Sequence, residues 1–213
     1  MKKVAMLNVL LTLLLAGACI TMRTRKVDDG STTLSKEDSL KIFPFSISQA
    51  DMKNVYSAQK EIVFQVINTD ELKRIIPQKK YTWLLIGSSW CPVCQRVIKQ
   101  YSSLIKEYPR DSIQLILVCQ DMNIPVLQSE IFESDYRRMP YLMDPKKYGS
   151  DEVFKQEKFI RDLDPKLPLA FFKGGGVPVN LMLDQHYNVL FMKHGDLISH
   201  DTIWKYTHLK RIL

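Results

Sequence analysis

Cysteine is scarce: four residues in 213 are too few for the disulfide framework that staples small secreted domains, so a fold here must rest on a hydrophobic core. Long apolar runs are missing as well. The extended apolar stretch Val4 to Leu15 is too short to cross a bilayer as a helix, which excludes a multi-pass membrane protein. Charge of one sign is nowhere concentrated. The formal +7 is dispersed among acids without a basic block, so nucleic-acid binding has no support. A second C-x-x-C and an H-x-x-x-H are both absent, and with them the usual ligand spacing of a zinc site. No internal repeat is present. What remains, 46% hydrophobic and 25% charged residues, is globular composition and rules out a wholly disordered chain.

The N-terminus carries a processing signal. Lys2 and Lys3 form a positive region, Val4 to Leu15 an apolar one, and Ala16-Gly17-Ala18 a small-residue cleavage site. Residues 1–18 therefore read as an export signal. The remaining 195 residues, with a net charge of +5, suffice for one domain with a substantial core. The stretch Leu15-Ala16-Gly17-Ala18-Cys19 resembles a bacterial lipoprotein signal. That resemblance implies lipid attachment at Cys19, anchorage to a membrane face, and location in the periplasm or cell envelope. Ile20 to about Ser48 is polar and without period, so 19–48 is expected to be a flexible tether and 49–213 the folded domain.

Periodicity organises that domain. Ile62 to Ile67 is β-branched and short, hence a strand, after which Thr69 is positioned to cap a short helix carrying Leu72, Ile75 and Ile76. Trp83 to Ile86 is a continuous apolar run closed by Gly87-Ser88-Ser89, as in a strand covered on both faces. Val93, Val97, Ile98, Tyr101, Leu104, Ile105 and Tyr108 then recur at helical spacing, and Ile113 to Val118 is the next buried strand. Strands alternating with helices imply parallel crossovers in a layered α/β sheet. About 121–172 the pattern is less regular, with helical patches at Val126 to Phe132 and Asp151 to Leu163. Val179 to Leu183 and Tyr187 to Lys193 are strands joined by a turn short enough for an antiparallel hairpin. Ser199 or Asp201 is positioned to cap a last helix.

Trp90-Cys91-Pro92-Val93-Cys94 falls where a buried strand ends and a helix begins. The unpaired N–H groups and positive dipole end of a helix favour a thiolate there. Cys91 is expected at the N-cap, Pro92 at the first helical position and Cys94 in the first turn. One exposed sulfur and a more buried partner are what thiol-disulfide exchange requires: Cys91 attacks, Cys94 resolves.

The order strand, helix, strand, W-C-x-x-C, helix, strand, insertion, Val-Pro, strand, strand, helix resembles the thioredoxin-like superfamily from about Glu61 to Leu213. The resemblance implies an α/β thioredoxin-like fold: a central mixed sheet flanked by helices, with an insertion at about 121–172 before a cis-proline. It implies that Pro178 is that proline and that the Val177 backbone pairs with extended substrates. Trp90, Pro92 and Val93 then complete the substrate surface around the catalytic pair Cys91 and Cys94. Protein thiols or disulfides are the expected partners, with a further electron donor or acceptor. No cofactor beyond the cysteine pair, and no metal, is expected. The sequence departs from the superfamily at two points. Leu85 stands where many thioredoxins bury an aspartate that moves a proton off the resolving thiol. Pro-Val between the cysteines is neither the Gly-Pro of reducing members nor the Pro-His of strong oxidants.

Two other classes fit the same residues. The fold could serve as a binding module with structural cysteines, or a metal carrier could use Cys91, Cys94 and a histidine. Against the second, His186, His194, His200 and His208 are scattered through turns and the last helix as surface residues are, and copper-delivery relatives use a wider cysteine spacing. Cys119 ends a strand and reads as packing. Lys173-Gly174-Gly175-Gly176 is not placed as a phosphate loop and reads as slack before the proline turn.

Overall fold

A computed structural model describes residues 35–46, 62–109, 112–149, 152–168, 176–195 and 198–209. The export signal, Cys19, most of the tether, and Lys173 to Gly175 lie outside the described residues. The elements in chain order begin with α1 (Lys36–Ser39), β1 (Ile42–Phe43), β2 (Phe64–Ile67), α2 (Thr69–Ile75), β3 (Tyr81–Gly87) and α3 (Pro92–Leu104). After these come β4 (Ile113–Cys119), α4 (Ile124–Glu133), β5 (Tyr141–Met143), α5 (Pro145–Tyr148) and α6 (Glu152–Leu163). The chain closes with β6 (Val179–Asp184), β7 (Val189–His194) and α7 (His200–Thr207).

Among the described residues one sheet has the order β1-β2-β5-β4-β3-β6-β7. The first five run parallel, while β6 is antiparallel to β3 and β7 antiparallel to β6. Alternation along each strand divides the core into two layers, the pleat sending successive side chains to opposite faces. Trp83 and Leu85 join Leu115, Leu117 and the buried face of α3 on one side. Leu84 and Ile86 join Ile116, Val118, α2 and α6 on the other. That double covering is why Trp83 to Ile86 reads as a continuous apolar run rather than an alternating one.

Two expectations need correction. Asn68, not Thr69, caps α2: its side chain accepts from the N–H groups of Asp70 (3.0 Å) and Glu71 (3.1 Å), and Glu71 accepts the Asn68 N–H (2.8 Å). Thr69 instead meets the Tyr148 hydroxyl at 3.1 Å. Within the stretch 19–48 expected as a tether, Ile42 and Phe43 pair with Phe64 and Gln65 as an edge strand. The region 121–172, expected as an insertion before the cis-proline, supplies β5, which fills the position between β2 and β4.

Candidate redox site

Parallel strands share one carboxyl edge, and the site is built along it. β3 ends at Gly87, the chain turns through Ser88 to Trp90, and α3 starts at Pro92 with Cys91 as its N-cap. Pro92 at the first helical position lacks only an N–H that a helix start leaves unpaired in any case. Cys91 and Cys94 form a disulfide, their Cα atoms 5.3 Å apart. The Cys94 N–H donates to Cys91 Sγ at 3.2 Å, so the helix start directs a positive group at that sulfur. Cys94 is buried beside Gly87, where an added Cβ would stand 3.7 Å from Cys94 Sγ.

The antiparallel pairing of β6 with β3 sets Val179 opposite Ile86, which carries the residues before β6 to the cysteine turn. The Val177–Pro178 peptide bond is cis, Pro178 is buried, and Val177 O lies 3.4 Å from Cys91 Sγ. A helix-capping cysteine pair on β3–α3, a parallel β3–β4 crossover, and a cis-proline entering an antiparallel hairpin on the other side of β3 define the architecture. This is a thioredoxin-like fold.

Within the thioredoxin-like fold, the expected site residues come together unevenly. Trp90 is 55% exposed and Pro92 is exposed, with Val93 and Val177 half-buried around the pair. The expectation of one exposed sulfur is not met: Cys91 is 3% and Cys94 1% exposed. Val177, from the proline turn, is among the groups against Cys91 Sγ. Among the described residues no group of three His, Cys, Asp or Glu side chains converges as a metal site. His200 is engaged instead with the Tyr108 hydroxyl (3.0 Å) and Glu107 (3.6 Å).

Sequence reasoning missed three residues at this edge. Asp121, just beyond β4, accepts from the Ser88 hydroxyl and from the Ser89 N–H (2.7 Å), clamping the turn that presents Trp90 and Cys91. Its position after a parallel strand, where α/β sheets gather functional groups, was the available signal. Glu130 on α4 has its carboxyl pushed up to about 7, first by burial and then by the charges of Asp121 and Glu133. Glu133 in turn accepts from Gln95, the residue after Cys94, at 2.5 Å. The third, His194, accompanies Gly176 at 2.9 Å. Cys119 pairs in register with Gly87, and burial followed by repulsion from Asp121 and Glu130 pushes its thiol up.

No protein-family model and no curated protein matches the chain. Among solved structures it is similar to StoA from Bacillus subtilis, with 23% identity over 62% of this chain and 86% of that one and a TM-score of 0.41. It is also similar to the pneumococcal exposed lipoprotein thioredoxin Etrx1 of Streptococcus pneumoniae, at 15% identity over 67% of this chain and 96% of that one, TM-score 0.41. A third is a thiol:disulfide interchange protein DsbE of Chlorobium tepidum, described as putative: 15% identity, 56% and 70% coverage, TM-score 0.38.

Proposed function

We propose that this chain is an exported thiol-disulfide oxidoreductase that exchanges disulfides with protein cysteines through Cys91 and Cys94. The observation that carries the reading is the Cys91–Cys94 disulfide at the start of α3, with the Cys94 N–H directed at Cys91 Sγ. A donor aimed at one sulfur of the pair stabilises negative charge on that sulfur, which makes Cys91 both the better leaving group and the better-populated thiolate.

In the reducing direction the Cys91 thiolate attacks one sulfur of a substrate disulfide. That S–S bond breaks, a mixed disulfide forms, and the other substrate sulfur leaves as a thiolate and takes a proton. Cys94, deprotonated, then attacks Cys91 Sγ, and the second substrate sulfur leaves and is protonated. The protein pair loses two electrons and two protons, and the substrate gains both. The same steps reversed oxidise a substrate dithiol, with the potential of the pair against its compartment choosing the direction. Trp90, Pro92, Val93, Val177 and Pro178 form the surface a substrate chain meets. The chemistry calls for no cofactor beyond the cysteine pair, and a second protein dithiol or disulfide restores it. The Cys19 context supports lipid anchorage at the cell envelope.

Equilibration in glutathione buffers tests this reading. One reversible two-electron transition is expected, lost in Cys91→Ser and in Cys94→Ser. A disulfide that resists reduction until the protein unfolds would instead mark the pair as structural.

A further inference from the structure

We propose that His194 is a positioning residue for peptide substrates, an inference that rests on the oxidoreductase reading above. The observation is its place in the fold: the register of β6 and β7 sets His194 opposite Val179, at the same edge as the proline turn. From there its Nδ1 lies 2.9 Å from Gly176 O. A carbonyl oxygen only accepts, so Nδ1 carries the proton in this contact and the imidazole is the donor.

The base of that imidazole is itself fixed. Gly195, at φ +82°, adopts a turn that a side chain would resist, and its N–H donates to Pro178 O at 2.8 Å. Buried Asn180 donates its amide to Gly195 O (3.1 Å) and to Lys193 O (3.4 Å), on either side of the histidine. His194 therefore projects from a braced strand end rather than from a loose loop.

What it holds is one peptide plane. Gly176 C=O and Val177 N–H belong to the same planar unit and point in opposite directions, so fixing the carbonyl fixes the N–H. Among the described residues the Val177 N–H has no acceptor, while Val177 O lies beside Cys91 Sγ. A donor and an acceptor on consecutive peptide units are what an extended chain uses when it pairs as an added strand. Pro178 contributes no N–H, so the row of donors ends there. With so short a row, affinity depends on presenting the Val177 unit already oriented, because ordering it on binding would subtract from the gain.

The test compares His194→Ala with His194→Asn, whose side-chain amide N–H falls close to the position of Nδ1. Two disulfides serve as probes: a short extended peptide with one glutathionylated cysteine, and hydroxyethyl disulfide, which is too small to pair with Val177. The alanine variant should raise KM for the peptide about tenfold, the order of one lost hydrogen bond, with kcat and the rate on hydroxyethyl disulfide unchanged. The asparagine variant should recover most of the peptide KM. Equal losses on both probes, an unchanged peptide KM, or no recovery with asparagine would overturn the proposal. Calorimetric binding of the same peptide with serine for cysteine separates this inference from the function it rests on. If no disulfide turns over but the parent binds that peptide about tenfold more tightly than His194→Ala does, the oxidoreductase reading fails and the positioning role stands. Equal binding, or none to the parent, overturns the positioning role.

Discussion

Glu130 carries a carboxyl held at about 7 against an ordinary 4.5, and the consequence for stability has a definite sign. The folded chain binds this proton more tightly than the unfolded chain does. Its contribution is complete below about pH 4.5, declines as pH rises through about 7, and is level above that. Urea midpoints measured from pH 4.5 to 7.5 should therefore fall less steeply in Glu130→Gln than in the parent. Parallel slopes would show that the carboxyl titrates normally. At this scale the cysteine pair was legible in the local spacing Cys91-Pro92-Val93-Cys94, while the cis bond at Pro178 was expected from the superfamily resemblance. Asp121, Glu130 and His194 were not, since each reaches the site from a separate element and only pairing of β3 with β4 and β6 brings them to one edge. The contact of Val177 with Cys91 escaped for the same reason: the two are 86 positions apart.

Elements were legible where burial imposed a pattern. β3, α3 and β4 carry continuous apolar runs or helical recurrence. β5 does not: Tyr141–Met143 spans three residues and is too short to show a period, yet it fills the gap between β2 and β4. Its pairing with β4 covers only Val118 and Cys119. Near the point where that ladder stops, the buried Tyr136 hydroxyl accepts the Leu117 N–H at 3.2 Å. Tyr136→Phe would leave that backbone donor buried without its partner, a cost of about 1–3 kcal/mol. Urea unfolding checks the value, and a loss below about 0.5 kcal/mol would show that the donor finds another acceptor. The edge strand β1 was missed on similar grounds, its two residues lying within an otherwise polar stretch.

For the whole molecule, the doubly covered sheet makes one rigid edge from which the cysteine turn, the proline turn and the Asp121 clamp all project. On the proposed function, a substrate chain meets the pair at that edge. No helix among the described residues is long and apolar enough to cross a membrane. If Cys19 carries the proposed lipid anchor, Cys19→Ser should move the protein from the membrane fraction to the soluble one. Retention on the membrane would assign the anchor elsewhere. Attack by Cys91 and resolution by Cys94 are open to direct trapping. Cys94→Ser, incubated with a glutathionylated peptide and mapped by mass spectrometry, should accumulate a mixed disulfide on Cys91 that the parent resolves. A trapped adduct on Cys94 in Cys91→Ser, with none on Cys91 in Cys94→Ser, would contradict the account.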